Sequence, residues 1–181
     1  MILSDRDILR NREDIKIVPF NRKNLGTNSY DLTLNPKMLV YVNAPLDPKV
    51  DNETKTITIP EEGLVLKAGE LYIARTNEYT DTRKHVPQLA GKSSLARLGL
   101  FVHTTAGFGD DGFKGTWTLE LYPTKDIVLY PNMKICQIYY TPITSRPLST
   151  YDKKRDAKYL GQIDATASKY YKNYDELTEV N

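Results

Sequence analysis

The amino-acid sequence predicts a mainly β protein folded as a single domain. Three observations carry this expectation. Short runs of branched and aromatic residues recur between turn residues over the first 144 positions, most prolines fall between those runs, and only two short segments carry helix signals. At 181 residues the chain is long enough to bury one core and short for two.

In chain order, Ser4 offers an N-cap to a short helix whose first turn holds Asp5 and Asp7, where the helix dipole favours acids. The pattern then shortens to strand-like runs at Ile15 to Val18, Tyr30 to Leu34, Met38 to Val42 and Lys55 to Ile59. Further strands are predicted at Leu64 to Leu66, Leu71 to Ala74, Thr116 to Tyr122, Ile127 to Tyr130 and Ile135 to Thr141, the spacing of a sandwich or barrel. Pro45, Pro48, Pro60, Pro87, Pro123, Pro131, Pro142 and Pro147 read as punctuation, where a missing N–H harms a sheet least. Between Ser93 and Gly99 lies a helix signal about one turn long, with serines able to cap its start and Gly99 to end it in a left-handed conformation. After Ser145 branched apolar residues thin out while Tyr, Lys and Asp accumulate. This tail reads as a mobile or partner-dependent segment outside the core sheet.

Composition removes several classes of function. With 25 Lys+Arg against 23 Asp+Glu there is little long-range field to attract a polyanion. The single cysteine, Cys136, excludes an internal disulfide and cysteine-rich zinc sites, and is expected reduced in a strand. The N-terminus meets charge at Asp5 with no apolar signal region, and no apolar run nears the roughly 20 residues needed to span a bilayer. A cytoplasmic protein, with no membrane and no nucleic-acid partner, is expected.

Three places could carry chemistry. Strand alternation puts Trp117, Leu119 and Leu121 on one face and Thr116, Thr118, Glu120 and Tyr122 on the other. Glu120 is then either part of a solvated sheet face or a general acid/base held on a rigid element beside a threonine. Lys92-Ser93-Ser94-Leu95-Ala96-Arg97 is either an ordinary N-cap with solvated cations or an anion cradle built from hydroxyls, amides and two positive charges. Ala106 to Gly115, rich in Gly and Asp, reads as a tight hairpin loop. Its aspartates either serve the turn or accept a sugar hydroxyl, with Phe113 covering an apolar surface.

In order and spacing, Gly91 to Leu100, Val102-His103-Thr104-Thr105-Ala106, Asp110 to Gly115 and Thr118-Leu119-Glu120 closely resemble the dCTP deaminase branch of the dUTPase-like superfamily. Met1 to Ser4, Asn28 to Leu32, Asp156 to Tyr159 and Gln162 extend the resemblance over nearly the whole chain. The resemblance implies a distorted jelly-roll or β-barrel of the dUTPase-like type. It implies one domain over 1–181, with a β core to about 144 and a segment from about 145 that closes over the nucleotide.

It also implies roles. Glu120 is the catalytic glutamate that moves a proton between water, ring N3 and departing ammonia, while Ser93 and Arg97 hold the water and stabilise charge. Lys92, Ser93 and Ser94 meet the triphosphate, with Leu95 and Ala96 in the same substrate-binding motif. Asp110 lies under the deoxyribose, Thr118 and Leu119 read the base edge, and Tyr151, Lys158 and Gln162 belong to the closing tail. Also implied are a homotrimer with shared active sites, Mg2+ carried by the triphosphate rather than by protein side chains, and inhibition by dTTP.

Zinc is excluded independently. Zinc deaminases use a His-x-Glu with a Pro-Cys-x-x-Cys, whereas His85, His103 and Cys136 are scattered here. A lone histidine such as His103 reads as a structural hydrogen-bonding residue. Against the family pattern, Lys92 stands where arginine is common, Gly109 replaces an isoleucine and loosens the loop, and Asp111 replaces a proline. Phe108 in place of a basic residue resembles bifunctional members that also cleave dUTP. The expected activity is dCTP deamination to dUTP and ammonia. The alternatives are, in turn, a bifunctional enzyme giving dUMP and pyrophosphate with Asp110 activating a second water, a pure dUTPase, and a non-catalytic jelly-roll binding module. The tail cations Lys153, Lys154, Arg155, Lys158, Lys169 and Lys172 would suit nucleic acid, but Asp152, Asp156 and Asp164 interleave with them.

Overall fold

The computed structural model describes residues 1–103 and 106–174. Helix α1 (Asp5–Arg10) is followed by β1 (Ile15–Val18), β2 (Tyr30–Thr33), β3 (Lys37–Tyr41), β4 (Thr54–Thr58), β5 (Leu64–Leu66), β6 (Tyr72–Thr82) and β7 (His85–Gly91). Then come α2 (Ser93–Ala96), β8 (Leu100–Val102), β9 (Lys114–Pro123), β10 (Ile127–Leu129) and β11 (Lys134–Pro142). The strands form three antiparallel sheets: β4-β3-β6-β9-β8 with β1 added on β6, the pair β10-β5, and β2-β11-β7. They wrap one core, and no closed barrel is present among the described residues.

α1 forms as its cap predicts. Ser4 and Asp7 make a reciprocal capping box, and Ile8 is fully buried in the core. α2 differs from expectation: its N-cap is Lys92, with no side-chain cap bond, so neither serine caps it. Gly99 does close the segment at φ +84, and its N–H donates to the Ala96 carbonyl at 3.0 Å. Cys136 is a free, buried thiol in β11, and burial pushes its pKa well above the ordinary value.

β6 is far longer than the predicted Leu71 to Ala74, because its inward residues Thr76, Glu78, Thr80 and Thr82 are polar. Their partners make that burial tolerable. Thr76 Oγ1 donates to the Glu78 carbonyl at 3.0 Å and accepts from Trp117 N at 3.0 Å. Thr33 N and Oγ1 each donate to the Glu78 carboxylate at 2.8 Å, tying the β6 sheet to β2. β7 also escaped the sequence reading, and Pro87 lies inside it rather than between strands. β7 is the edge of its sheet, so the missing N–H costs no ladder bond, while the Pro87 carbonyl accepts from Gly109 N at 2.8 Å. Pro123 and Pro142 end β9 and β11.

Among its described residues the tail joins no sheet, as expected, yet it is seated. Arg83 Nη1 meets Asp152 Oδ2 at 2.9 Å, Tyr151 N donates to the Asp111 carbonyl at 2.8 Å, and the Gln162 carbonyl accepts from Thr116 N at 2.9 Å. The part of the tail from 175 to 181 lies outside the described residues. No helix is long and apolar enough to cross a membrane among the described residues.

Two outcomes follow from these charged groups. Desolvation raises the Glu78 pKa in the folded state, so its stabilising contribution is present at low pH and lost as pH rises through the raised value. In Glu78→Gln, the stability of the variant relative to wild type, from urea midpoints, should rise between acid and neutral pH; a flat difference contradicts this. Asp152 titrates below its ordinary value through Thr150 and then, against a desolvation cost, Arg83, so the tail contact it makes is present at neutral pH and lost as pH falls through that lowered value. Asp152→Asn should speed limited proteolysis after Pro142 while leaving the core's thermal midpoint within a few degrees.

Candidate active site

Strand pairing fixes the position of Glu120. In β9 it stands opposite Ile73 of β6, and its carbonyl accepts from His103 N at 2.9 Å, just beyond β8. Alternation turns Leu119 and Leu121 fully into the core and leaves the Glu120 side chain 41% exposed. His103 Nδ1 contacts Glu120 Oε2, so the carboxylate has a partner that orients it. His103 reaches this place through a left-handed backbone at φ 49, which turns the chain out of β8.

Glu120 opens into a cavity of about 400 Å³. The cavity is lined also by Thr118 and Ile73, by Gly109 and Asp110, and by Tyr151 and Gln162 of the tail. An aromatic row borders the wall: Phe113 is 4.5 Å from Trp117 and 5.8 Å from Tyr151, centroid to centroid. Burial raises the Tyr151 pKa, with the nearby Asp110 charge acting in the same direction. The site thus places two carboxylates, a threonine hydroxyl and an apolar aromatic wall around one volume, a combination suited to a polar heterocycle on a sugar.

The loop carrying Asp110 is not a tight hairpin. It runs from β8 to β9 and lies along β7, with Leu89 N donating to the Gly107 carbonyl at 2.7 Å and Phe108 bridging Gln88. Thr104 and Thr105 of the sequence motif lie outside the described residues. Gly109 does not loosen the loop as expected: a Cβ there would stand 2.5 Å from Trp117 Cη2, so the position is tightly packed. Asp111 serves the fold, accepting from Lys84 N at 2.9 Å through its carboxylate.

Of the sequence candidates, Glu120, Asp110, Thr118, Tyr151 and Gln162 come together, while Leu119 is buried behind the strand. Lys92, Ser93, Ser94, Leu95, Ala96 and Arg97 do not line this cavity. Ser93, Ser94 and Arg97 are exposed on α2, and Lys92 pairs with Asp31, which also meets Lys134 at 3.0 Å. Lys158 donates to Asn173 Oδ1 instead. The sequence reading missed Tyr41, Tyr159, Thr166 and Ser168 as lining residues, and missed His103 as the partner of Glu120. Thr166 N donates to Thr118 Oγ1 at 3.2 Å and Ser168 N to the Tyr41 hydroxyl at 3.2 Å. These are backbone contacts of an irregular tail, for which side-chain patterns carry no signal.

Known proteins match this arrangement. A family model described as dCTP deaminase-like matches residues 2–143. A Clostridium botulinum (strain Eklund 17B / Type B) protein named "dCTP deaminase, dUMP-forming" is 50% identical over 177 residues, covering 97% of this chain and 100% of its own length. A Leptospira biflexa protein of the same name is 46% identical over 177 residues, covering 97% and 99%. The crystal structure of 2'-deoxycytidine 5'-triphosphate deaminase from Agrobacterium tumefaciens superposes with a TM-score of 0.62 at 22% identity, over 78% of this chain and 48% of that one, and so shares the fold. With a family model over most of its length and relatives at half identity, this chain belongs to the dCTP deaminase-like family.

Proposed function

We propose that this protein is a bifunctional dCTP deaminase that converts dCTP to dUMP, ammonia and pyrophosphate, consuming two waters. The observation that carries the reading is that one cavity holds two carboxylates with different surroundings, Glu120 against His103 and Asp110 beside the aromatic row. The relatives' printed names, which specify dUMP as product, support this over a single-function enzyme that stops at dUTP.

In the first reaction Glu120 takes a proton from water as its oxygen bonds to C4 of the cytosine ring. It passes that proton to N3, then takes the second proton from the new C4 hydroxyl and delivers it to the amino group, so that the C4 carbonyl forms, the C4–N bond breaks and ammonia departs. Its place on a paired strand, with His103 orienting one oxygen, supplies the rigidity that proton transfer needs. Thr118, whose hydroxyl oxygen already accepts from the tail, keeps its O–H free to donate to the base edge. In the second reaction Asp110 draws a proton from a second water as it attacks the α-phosphorus, and pyrophosphate leaves.

A cradle for the triphosphate is absent from the described cavity wall, which suits a homotrimer in which a neighbouring copy brings Lys92, Ser93, Ser94 and Arg97. Two observations support that assembly. Ser93, Ser94 and Arg97 are exposed and do not line this chain's own cavity, and Leu71, at the cavity, Tyr122, Phe101 and Leu98 leave apolar side chains exposed on the same part of the molecule, with Phe101 paired to Tyr122. Magnesium enters this proposal as an ion brought on the nucleotide and held by its phosphate oxygens. Bound there, it would neutralise phosphate charge and order the leaving pyrophosphate.

Glu120→Gln should lose on the order of a hundredfold or more in ammonia release from dCTP while retaining nucleotide binding. Near-normal turnover would remove Glu120 from the centre of the reaction. Arg97→Ala and Glu120→Gln should each be nearly inactive alone, and mixing and reassembling the two variants should restore a fraction of wild-type activity. Failure to regain activity, with mixed assemblies demonstrated, would place both residues in one subunit's site.

A further inference from the structure

Trp117 is held in place from two directions. Its N–H in the backbone donates to Thr76 Oγ1 at 3.0 Å, and its indole Nε1 donates to Thr80 Oγ1 at 2.9 Å. The far edge of the ring then reaches the Gly109 position. A Cβ at 109 would lie 2.5 Å from Trp117 Cη2, and 2.9 Å from Pro87 Cγ. The ring therefore occupies the volume that a side chain at 109 would need, and the Gly109 N–H fastens that backbone to the Pro87 carbonyl at 2.8 Å.

This packing controls the cavity wall. Asp110 follows Gly109 directly, so its carboxylate is placed by how closely residue 109 lies on the indole. Phe113 packs on the same ring, with centroids 4.5 Å apart. Within the row, the Trp117 and Phe113 rings offer an incoming sugar no hydrogen bond, since the indole N–H already has Thr80 as its acceptor and Phe113 has no polar side-chain atom; the Tyr151 hydroxyl is engaged as acceptor from Tyr159 N at 3.2 Å. A 2′-hydroxyl pressed against the Trp117 and Phe113 faces would leave water without a partner there, which disfavours a ribonucleotide relative to a deoxyribonucleotide.

We propose that Gly109 and Trp117 form a size-matched pair that sets this wall, with Trp117 acting as a positioning residue through which Phe113 and Asp110 select a deoxyribose. The proposal rests on the reading of the cavity as a dCTP site. It predicts that the two positions are energetically coupled, so that substitutions at both do not add.

The test compares turnover of dCTP and CTP, with thermal midpoints, for the full-length wild type, Gly109→Ala, Trp117→Phe, Trp117→Leu and the double variants of Gly109→Ala with each. Trp117→Leu should narrow the dCTP-over-CTP preference in kcat/KM by on the order of tenfold, mainly through KM, whereas Trp117→Phe, which keeps an aromatic wall, should narrow it less. Gly109→Ala should lower kcat/KM for dCTP by on the order of tenfold in the wild-type background, and by clearly less where Trp117 has been shortened. An unchanged nucleotide preference in folded Trp117→Leu overturns the proposal, as does an equal cost of Gly109→Ala in every background. If Trp117→Leu does not fold, the Trp117→Phe pair decides by the same criterion, because phenylalanine lacks the reach of Cη2. A wild-type protein inert toward both dCTP and CTP would overturn the functional reading itself, and is seen before any variant is compared.

Discussion

The pairing of β6 with β9 is the constraint on which the rest of the structure depends. It runs from Tyr72 opposite Leu121 to Asp81 opposite Lys114, with a register shift between Arg75 and Tyr79. That ladder makes Glu120 a fixed point rather than a surface carboxylate on a flexible arm. It also turns Trp117 toward the hydroxyls of Thr76 and Thr80, and leaves the edge of the first half of β9 that β8 does not reach to receive the tail through Gln162. A slip of one residue would exchange the two faces of β9 and send Glu120 into the core.

The irregularity in the ladder is maintained by polar groups that would otherwise be costly. Where the pairing of β6 shifts, Glu78 is buried and satisfied by Thr33, and Asn77 donates to Thr33 Oγ1 at 3.0 Å and to Asn132 Oδ1 at 3.0 Å. These bonds join the large sheet to β2 and to the turn before β11. The tail is held to the far end of the same sheet by the Arg83–Asp152 contact, so the strands that carry the catalytic candidate also anchor the segment that covers it.

Much of this was legible in the sequence, and the exceptions have physical reasons. Glu120 and Thr118 could be singled out because alternation along Thr116 to Tyr122 is a local signal, and the Gly/Asp density marked the preceding loop, while the choice of Asp110 over Asp111 came from the family resemblance. β6 was read too short because the residues it buries after Ala74 are threonines and a glutamate, which look like a solvated surface until their partners are known. Pro87 and Gly91 disguised β7 in the same way, since an edge strand tolerates what a central one does not. The partnership of His103 with Glu120 spans two strands, and Gly109 looked permissive because its neighbour Trp117 is distant in the pattern of the loop. The tail's seat depends on backbone amides meeting Thr118 and Tyr41, which composition cannot encode. Residues on α2, prominent in the sequence, lie outside this chain's cavity, as do Lys158 and Leu119.

The central claim is that one site performs two successive hydrolyses on one nucleotide. Its most direct test is to supply the purified protein with dCTP and magnesium, resolve the nucleotides by ion exchange, and measure ammonia and pyrophosphate in the same samples. The account predicts dUMP, ammonia and pyrophosphate in equal amounts. Accumulation of dUTP without dUMP would contradict the second reaction, and unchanged dCTP would contradict the first.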